Sequence, residues 1–486
     1  MTNGSGAAIP PWDQPRQCDW SRREFLKAGL AGAAGVGLCG RLPRAVAGAA
    51  TPASAPAGAG DRPNIILAMT DDQGWGDVGY MSKFVHTPTL DEMASKGLRF
   101  NRFYAAAPVC SPTRASCLTG RHPNRCGCFS WGYDVPLAEV TVAEAVRAAG
   151  YTTGHFGKWH LGGIPTTRRG ATNRGKRQYA KGRLPHPGNQ GFDEWFSYWN
   201  YFDLNPPGFH HNGKPVGPRK GEGSEITADR AVTFIRQAVR AGKPFLAVVW
   251  FGNPHNPHQA RGKDMAHYGG LKEPLRRYYG EITAIDRAMG QLRAALRELG
   301  AERNTMLWFC SDNGARTGST GGLKGRKGSL WEGGVRVPGI LEWPARIAKP
   351  FATDVPACTS DYYPTILDLL GIRMPRPHRP IDGISLRPLI EGKMTQRPKP
   401  IGFEVRTSRR QVQWATLVDN RYKLHKIKPR RGGQDGLKLF DLVKDPNETS
   451  DLASTEPKVA AAMQARLEAW QASVERSLAG ADYRTT

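Results

Sequence analysis

One stretch of this chain places a nucleophile and a fixed cation within a single helical turn: Cys110-Ser111-Pro112-Thr113-Arg114. Pro112 suits the first turn of a helix, where its missing N–H goes unneeded. The helix expected from it runs through Ala115-Ser116-Cys117-Leu118 and stops at Gly120. Cys110 then sits at the helix start, where unpaired N–H groups and the dipole favour negative charge. Arg114, four residues on, falls on the same face. A nucleophile beside a cation at such a helix end suits an oxyanion ester. Alone, the same pattern would describe a buried cysteine ahead of an ordinary helix. It has company, because Asp71-Asp72, Asn253-Pro254-His255 and Asp312-Asn313-Gly314 each follow a short apolar run.

Those runs read as buried strands: Asn64 to Thr70, Phe245 to Phe251 and Thr305 to Cys310. Between the last two lies an amphipathic helix with Tyr278, Ile282, Ile285, Met289, Leu292, Leu296 and Leu299 on one face. Glu225 to Arg240 is another, with Ala228, Ala231, Val232, Ile235 and Val239 along one side. Alternating strands and helices predict an α/β fold with a large, mostly parallel sheet flanked by helices. Sites in such sheets lie beyond the carboxyl ends of the strands. Asp71, Asp72, His255, Asp312 and Asn313 can therefore meet at one edge. From about residue 396 the pattern changes. Trp414 to Ile427 reads as a hairpin turning at Asp419-Asn420, Leu439-Phe440-Asp441-Leu442 as a further strand, and a helix follows from about Pro457. A catalytic domain over 62–395 and a C-terminal α+β subdomain over 396–486, with a short antiparallel sheet, are expected.

The chain has 486 residues, 39% hydrophobic and 23% charged, enough for a buried core. The absence of any run of about 18 apolar residues argues against a transmembrane helix. Ser21-Arg22-Arg23-Glu24-Phe25-Leu26-Lys27, an uncharged stretch from Ala28 to Gly40 and Ala45-Val46-Ala47 resemble a bacterial twin-arginine export signal and its cleavage site. Residues 1–50 are thus expected to be a leader read by the twin-arginine translocase, 51–61 a flexible lead-in, and the mature protein periplasmic or secreted. The leader holds six basic and three acidic groups, so its loss takes the net charge from +25 to +22. In an exported protein that charge favours a polyanionic substrate over nucleic acid, or simply keeps the surface soluble. Cys18 and Cys39 leave with the leader; the other six cysteines show no disulfide framework and no zinc spacing. Residues 166–185 carry seven basic and no acidic side chains, as a pocket rim or a solvated loop. Gly322 to Ser329 lacks the Gly-Lys-Ser/Thr of a phosphate loop, which gives no support to nucleotide binding.

The chain resembles the formylglycine-dependent sulfatases of the alkaline phosphatase superfamily. Cys110-Ser-Pro-Thr-Arg114 followed by Leu118-Thr-Gly-Arg121 matches that family's C-x-P-x-R signature. Asp71-Asp-Gln-Gly-Trp-Gly-Asp77, Gly157-Lys-Trp-His-Leu-Gly162, Pro254-His-Asn-Pro257, Ser311-Asp-Asn-Gly314 and Lys327-Gly-Ser-Leu-Trp-Glu-Gly-Gly334 match its other blocks in order. Leu439-Phe-Asp-Leu with Asp445-Pro-Asn-Glu-Thr449 resembles its C-terminal segment. Thr113 and Cys117 stand where many relatives have serine and leucine, outside the minimal signature.

The resemblance implies an alkaline phosphatase-like fold and a sulfatase acting on sulfate monoesters of glycans, and on arylsulfates. It implies that a formylglycine-generating enzyme oxidises Cys110 to formylglycine. One hydroxyl of the hydrate then attacks sulfur, and the second expels sulfate. Asp71, Asp72, Asp312 and Asn313, together with position 110, would hold a metal. Their oxygen donors favour Ca²⁺, with Mg²⁺ as the alternative. Arg114 would orient the hydrate, Lys158 and Lys327 would clamp sulfate oxygens, His255 would protonate the leaving oxygen, and His160 would assist the hydrate. Lys158-Trp159-His160, read as strand, places Lys158 and His160 on one face. His258 and Lys324 are second-choice candidates for the substrate side or for structure. The alternatives are a phosphonate monoester hydrolase or phosphodiesterase with the same nucleophile, and an inactive glycan-binding homologue.

Overall fold

The computed structural model describes residues 62–164, 179, 183–200, 204–373, 379–409, 411–428 and 436–483. The leader, the lead-in and most of the basic stretch 166–185 lie outside the described residues. The main sheet is built from β1 (Asn64–Thr70), β2 (Leu98–Tyr104), β3 (Thr152–Lys158), β4 (Glu194–Tyr198), β5 (His210–His211), β6 (Lys214–Pro215), β7 (Phe245–Trp250), β8 (Thr305–Ser311), β9 (Arg336–Glu342), β10 (Phe351–Thr353) and β11 (Ala357–Cys358). Its order is β10-β2-β9-β8-β1-β7-β3-β4-β5-β6, with β11 also on β2. The centre, β8-β1-β7-β3-β4, is parallel; β9 runs antiparallel to both β8 and β2.

A parallel centre needs both faces covered, so β1, β7 and β8 are apolar along most of their length. The two-residue side-chain period then divides each strand between two cores. Ile65, Leu67 and Met69 join Leu246, Val248, Met306 and Trp308 on one side. Ile66 and Ala68 join Ala247, Val249, Leu307 and Phe309 on the other. The first side is covered by α1 (Cys110–Thr119) and α2 (Val142–Ala148), through Ala115, Leu118, Val142 and Val146. The second is covered by α3 (Gly223–Arg240) and α4 (Glu273–Glu298), through Ala228, Ile235, Ile285 and Leu292. Both long helices follow the sequence reading.

A second, four-stranded antiparallel sheet has the order β12 (Ile401–Ser408), β13 (Gln411–Val418), β14 (Tyr422–Ile427), β15 (Gly436–Asp441). One face packs Leu417, Leu424 and Leu439 against Ala460, Met463 and Leu467 of α5 (Pro457–Leu478). The other meets Tyr104, Leu330 and Val335 of the main body through Phe403, Val418 and Phe440. The expected fold class is the one found. No helix among the described residues is long and apolar enough to cross a membrane.

Candidate active site

The carboxyl ends of β1, β3, β7 and β8 meet at one edge of the main sheet. Asp71 and Asp72 leave β1, Lys158 ends β3, His255 lies five residues past β7, and Asp312 and Asn313 leave β8. Backbone bonds hold these ends together: Asp71 N–H donates to the Asn253 carbonyl (3.0 Å) and Asp312 N–H to that of Thr70 (3.1 Å). Cys110 opens α1 after an extended Val109, and Gly120 ends it in the left-handed region at φ 70°. Cys110 is 2% exposed.

The side chains converge as the spacing implied. Cys110 Sγ lies 3.6 Å from Asp71 Oδ1, and Lys327 Nζ donates to it at 3.5 Å. Lys327 Nζ also pairs with Asp72 Oδ1 at 2.5 Å. Arg114 Nη2 bridges Asp71 Oδ2 (3.1 Å) and Asp312 Oδ2 (2.8 Å), both fully buried, and Nη1 donates to the Lys158 carbonyl (3.3 Å). Lys158 Nζ pairs with Asp71 Oδ2. His255 Nε2 stands 3.7 Å from Asp72 Oδ2, while its Nδ1 meets the Asn256 carbonyl at 2.6 Å. The second contact needs a proton on Nδ1 and so directs Nε2 as the working nitrogen.

His160 corrects one expectation. β3 ends at Lys158, and His160 has a left-handed backbone at φ 53°, so strand alternation does not place it. A turn does so, with its N–H on the Trp199 carbonyl (3.0 Å) and its own carbonyl on Ser111 Oγ (2.7 Å). Neither ring nitrogen has a hydrogen-bond partner, although the residue is only 2% exposed. Ser111, which also accepts from Gly132 N–H (2.9 Å), thus ties His160 to the nucleophile helix. It occupies a variable position of the signature, and nothing in the sequence marked it. His258 and Lys324 are both taken up by protein partners. His258 bridges Glu281 (3.0 Å) and Thr317 (3.1 Å), and Lys324 Nζ donates to the Glu448 carbonyl (3.0 Å).

Burial and charge compete at each titratable group. Burial alone would raise Asp71, but Lys158, His255, Arg114 and Lys327 pull it far below the carboxylate range. Asp312 is pushed up to about 6 by burial and then by the charge of Asp71, against Arg114. Burial takes His255 down to about 4, with Asp71 and Asp72 opposing, and takes His160 well below its ordinary value with help from Lys158. Cys110 is pushed up to about 12 by burial and the Asp71 charge, so the unmodified thiol is neutral and a poor nucleophile.

The donor set fits a hard divalent cation. Single ligand atoms of Asp71, Asp72, Cys110 and His255 lie within 4.8 Å of one another. Asp72 Oδ2 and Asn313 Oδ1 are buried acceptors with no hydrogen-bond partner, which is costly unless a cation takes them. Asp312 accepts from Arg114 at Oδ2 and from Asp72 N–H at Oδ1 (3.2 Å), and each oxygen keeps a second lone pair for a cation.

Such a site belongs to a hydrolase of oxyanion esters on an α/β scaffold. The sulfatase family model matches residues 63–372, and the model described as N-sulphoglucosamine sulphohydrolase, C-terminal, matches 326–473. Rattus norvegicus N-acetylgalactosamine-6-sulfatase is 33% identical over 383 residues, spanning 70% of this chain and 68% of the relative. Rattus norvegicus arylsulfatase G is 32% identical over 392 residues, 68% and 69% of the two chains. The crystal structure of Ps i-CgsB in complex with k-i-k-neocarrahexaose superposes with a TM-score of 0.75 at 27% identity, covering 86% of this chain and 94% of that one. The chain belongs to the sulfatase family, the formylglycine-dependent group of the alkaline phosphatase superfamily, and is a sulfuric ester hydrolase.

Proposed function

We propose that this enzyme hydrolyses sulfate monoesters of glycans by S–O cleavage, with Cys110 converted to formylglycine and a Ca²⁺ ion held by Asp71, Asp72, Asn313 and Asp312. One observation carries the reading: Cys110 lies against Asp71 and Lys327 in a buried cluster that also contains Asp72, Arg114, Lys158, His255 and Asp312. The ion, when bound, polarises a sulfate oxygen and lowers the pKa of the attacking hydroxyl. The converted side chain supplies a geminal diol, one hydroxyl to attack sulfur and one to expel sulfate.

The chain's own residues do the rest. Lys327 and Lys158 meet sulfate oxygens and stabilise the charge that builds there. Arg114 locks Asp71 and Asp312 in place, and with them the floor of the site. Protonated on Nε2 when the substrate binds, His255 gives that proton to the departing alcohol. His160 has two unpartnered ring nitrogens and takes up a proton from the hydrate. Burial and the Asp71 charge push the Cys110 thiol up, which disfavours the thiolate as nucleophile and supports the conversion.

The glycan assignment rests on relatives named for sulfated-sugar substrates and on the carrahexaose complex of the neighbour. Export through the twin-arginine route to the periplasm or beyond, and modification by a formylglycine-generating enzyme, complete the proposal. Turnover of an aryl sulfate against an aryl phosphate diester tests the reaction class, and faster diester cleavage overturns it in favour of the phosphonate hydrolase alternative. Mass spectrometry of the Cys110 peptide from the native host tests the conversion; unmodified cysteine overturns it.

A further inference from the structure

The loop that presents Lys327 is fastened on two sides. On the nucleophile side, Lys327 N–H donates to the Ala315 carbonyl (3.2 Å) and Gly328 N–H to that of Pro108 (2.9 Å). On the far side the loop rests on the small sheet, and one residue, Glu448, meets both of its ends. The Glu448 carbonyl accepts from Lys324 Nζ at the loop entry (3.0 Å), and its Oε2 from Glu332 N–H at the exit (2.7 Å). Oε1 accepts from Lys423 Nζ (3.1 Å) and lies 2.8 Å from His425 Nε2, both carried by β14. Lys423 Nζ reaches Glu332 Oε1 as well (2.9 Å). Glu448 is fully buried and holds φ 56°, a conformation that costs a non-glycine residue free energy and persists only where its surroundings over-determine it.

We propose that Glu448 is a positioning residue for Lys327, a strut by which the C-terminal sheet holds the sulfate-binding lysine against the nucleophile. The proposal rests on the sulfate-binding role assigned above to Lys327. Lysine is long and carries a point charge, so its aim depends on where its backbone is held. A displacement of about 1 Å at a reacting centre is enough to cost about 100-fold in rate. The loop closes on itself, with Gly333 N–H on the Lys324 carbonyl (2.7 Å) and Ser329 N–H on that of Arg326 (3.0 Å), and Glu448 fastens this closed loop to the small sheet.

The test uses the full chain and four proteins: wild type, Glu448→Ala, Lys327→Ala and the double variant. The probe is inorganic sulfate as a product inhibitor, with amide hydrogen exchange on the peptide that contains Lys327. Glu448→Ala is expected to raise the sulfate inhibition constant about tenfold, and Lys327→Ala by as much or more. The double variant should fall short of the product of the two by about fivefold or more, because both changes remove one interaction. Exchange at the Lys327 peptide should quicken in Glu448→Ala. Multiplicative losses with unchanged exchange would overturn the strut. If Glu448→Ala does not fold, Lys324→Met replaces it, since it keeps an unbranched apolar stem while removing the ammonium, and with it the bond to the Glu448 carbonyl and the cation–π contact with the Trp331 ring. The same pattern of smaller, non-multiplicative shifts is expected, and none at all overturns the proposal. Should wild type cleave no sulfate ester, the sulfatase reading fails, and the exchange comparison alone decides whether Glu448 holds the loop.

Discussion

Replacing Lys327 by alanine isolates one cation of the site. Its Nζ lies 2.5 Å from Asp72 Oδ1 and 3.5 Å from Cys110 Sγ, and its side chain is only 14% exposed. A sulfate oxygen within about 4 Å would feel it with about 4 kcal/mol at an effective dielectric constant near 20. Removing one preorganised donor from an oxyanion site costs about 100- to 1,000-fold in kcat, or about 2.7–4 kcal/mol, and the two figures agree. Lys158 and Arg114 remain in the alanine variant, which places the loss at the lower end. Expected is a kcat/KM on an aryl sulfate reduced by about 100-fold, at about 1.4 kcal/mol per factor of ten. The melting temperature checks that the fold is retained. Lys327→Arg should recover only part of the loss, because a planar fork does not reproduce a point charge. A loss below about tenfold in a folded Lys327→Ala variant would refute the assignment, since an ammonium so close to the nucleophile would then be contributing no more than an exposed surface charge.

Cys110→Ala should be inactive at any metal concentration while keeping its fold, which circular dichroism and turnover check together. Asp72→Asn should weaken Ca²⁺ binding by calorimetry by more than the about 10- to 100-fold typical of an outer partner, because it removes charge at a buried acceptor. Chelation of wild type should abolish turnover, with Ca²⁺ restoring it. Glu281 is a linkage test away from the chemistry. Burial pushes it up to about 7, with His258 and the Gln259 N–H opposing. A carboxyl with a raised folded pKa contributes its stability below its unfolded value of 4.5 and loses it as pH climbs through about 7. Glu281→Gln should therefore flatten the decline of the melting temperature between pH 5 and pH 8, seen by thermal scans; an unchanged slope rejects the assignment.

The catalytic edge was legible because chemistry there is tied to strand ends. Asp71-Asp72, His255 and Asp312-Asn313 each trail an apolar run, and a parallel sheet aligns those trailing ends. The helix from Cys110 was equally readable, since Pro112 and Gly120 punctuate it. His160 was placed by the wrong means. A two-residue alternation was extended past Lys158, whereas a left-handed residue and the Ser111 hydroxyl put the ring where it is. Glu448 was invisible as a partner of the site. It sits in a polar segment far along the chain, and only the docking of the second sheet brings it under the Lys327 loop. Side-chain spacing reports what one element presents; it carries little about which element a neighbouring layer will touch.

The charges gathered at this edge also bear on which ester it accepts. Asp71, Asp72 and Asp312 supply three negative charges, and Arg114, Lys158 and Lys327 supply three positive ones, all within one buried cluster. The protein part is therefore close to neutral, which explains how so many ionised groups remain buried together. A divalent cation would leave the site with two positive charges in excess, and the proton His255 carries when substrate binds would make three. The proton that leaves the attacking hydroxyl passes to His160 and stays in the site, so the hydrate and His160 together add no net charge. A sulfate monoester then leaves two positive charges over, and a dianionic phosphate monoester one. Charge therefore does not reject the dianion, and it separates neither kind of phosphate ester from sulfate; the geometry of attack on sulfur or phosphorus must. An aryl phosphate monoester should thus inhibit aryl sulfate turnover competitively, and more tightly at pH 8 than below about pH 6, where it takes up a proton. An inhibition constant that stays flat across that range would show that the charge of the site plays no part in binding.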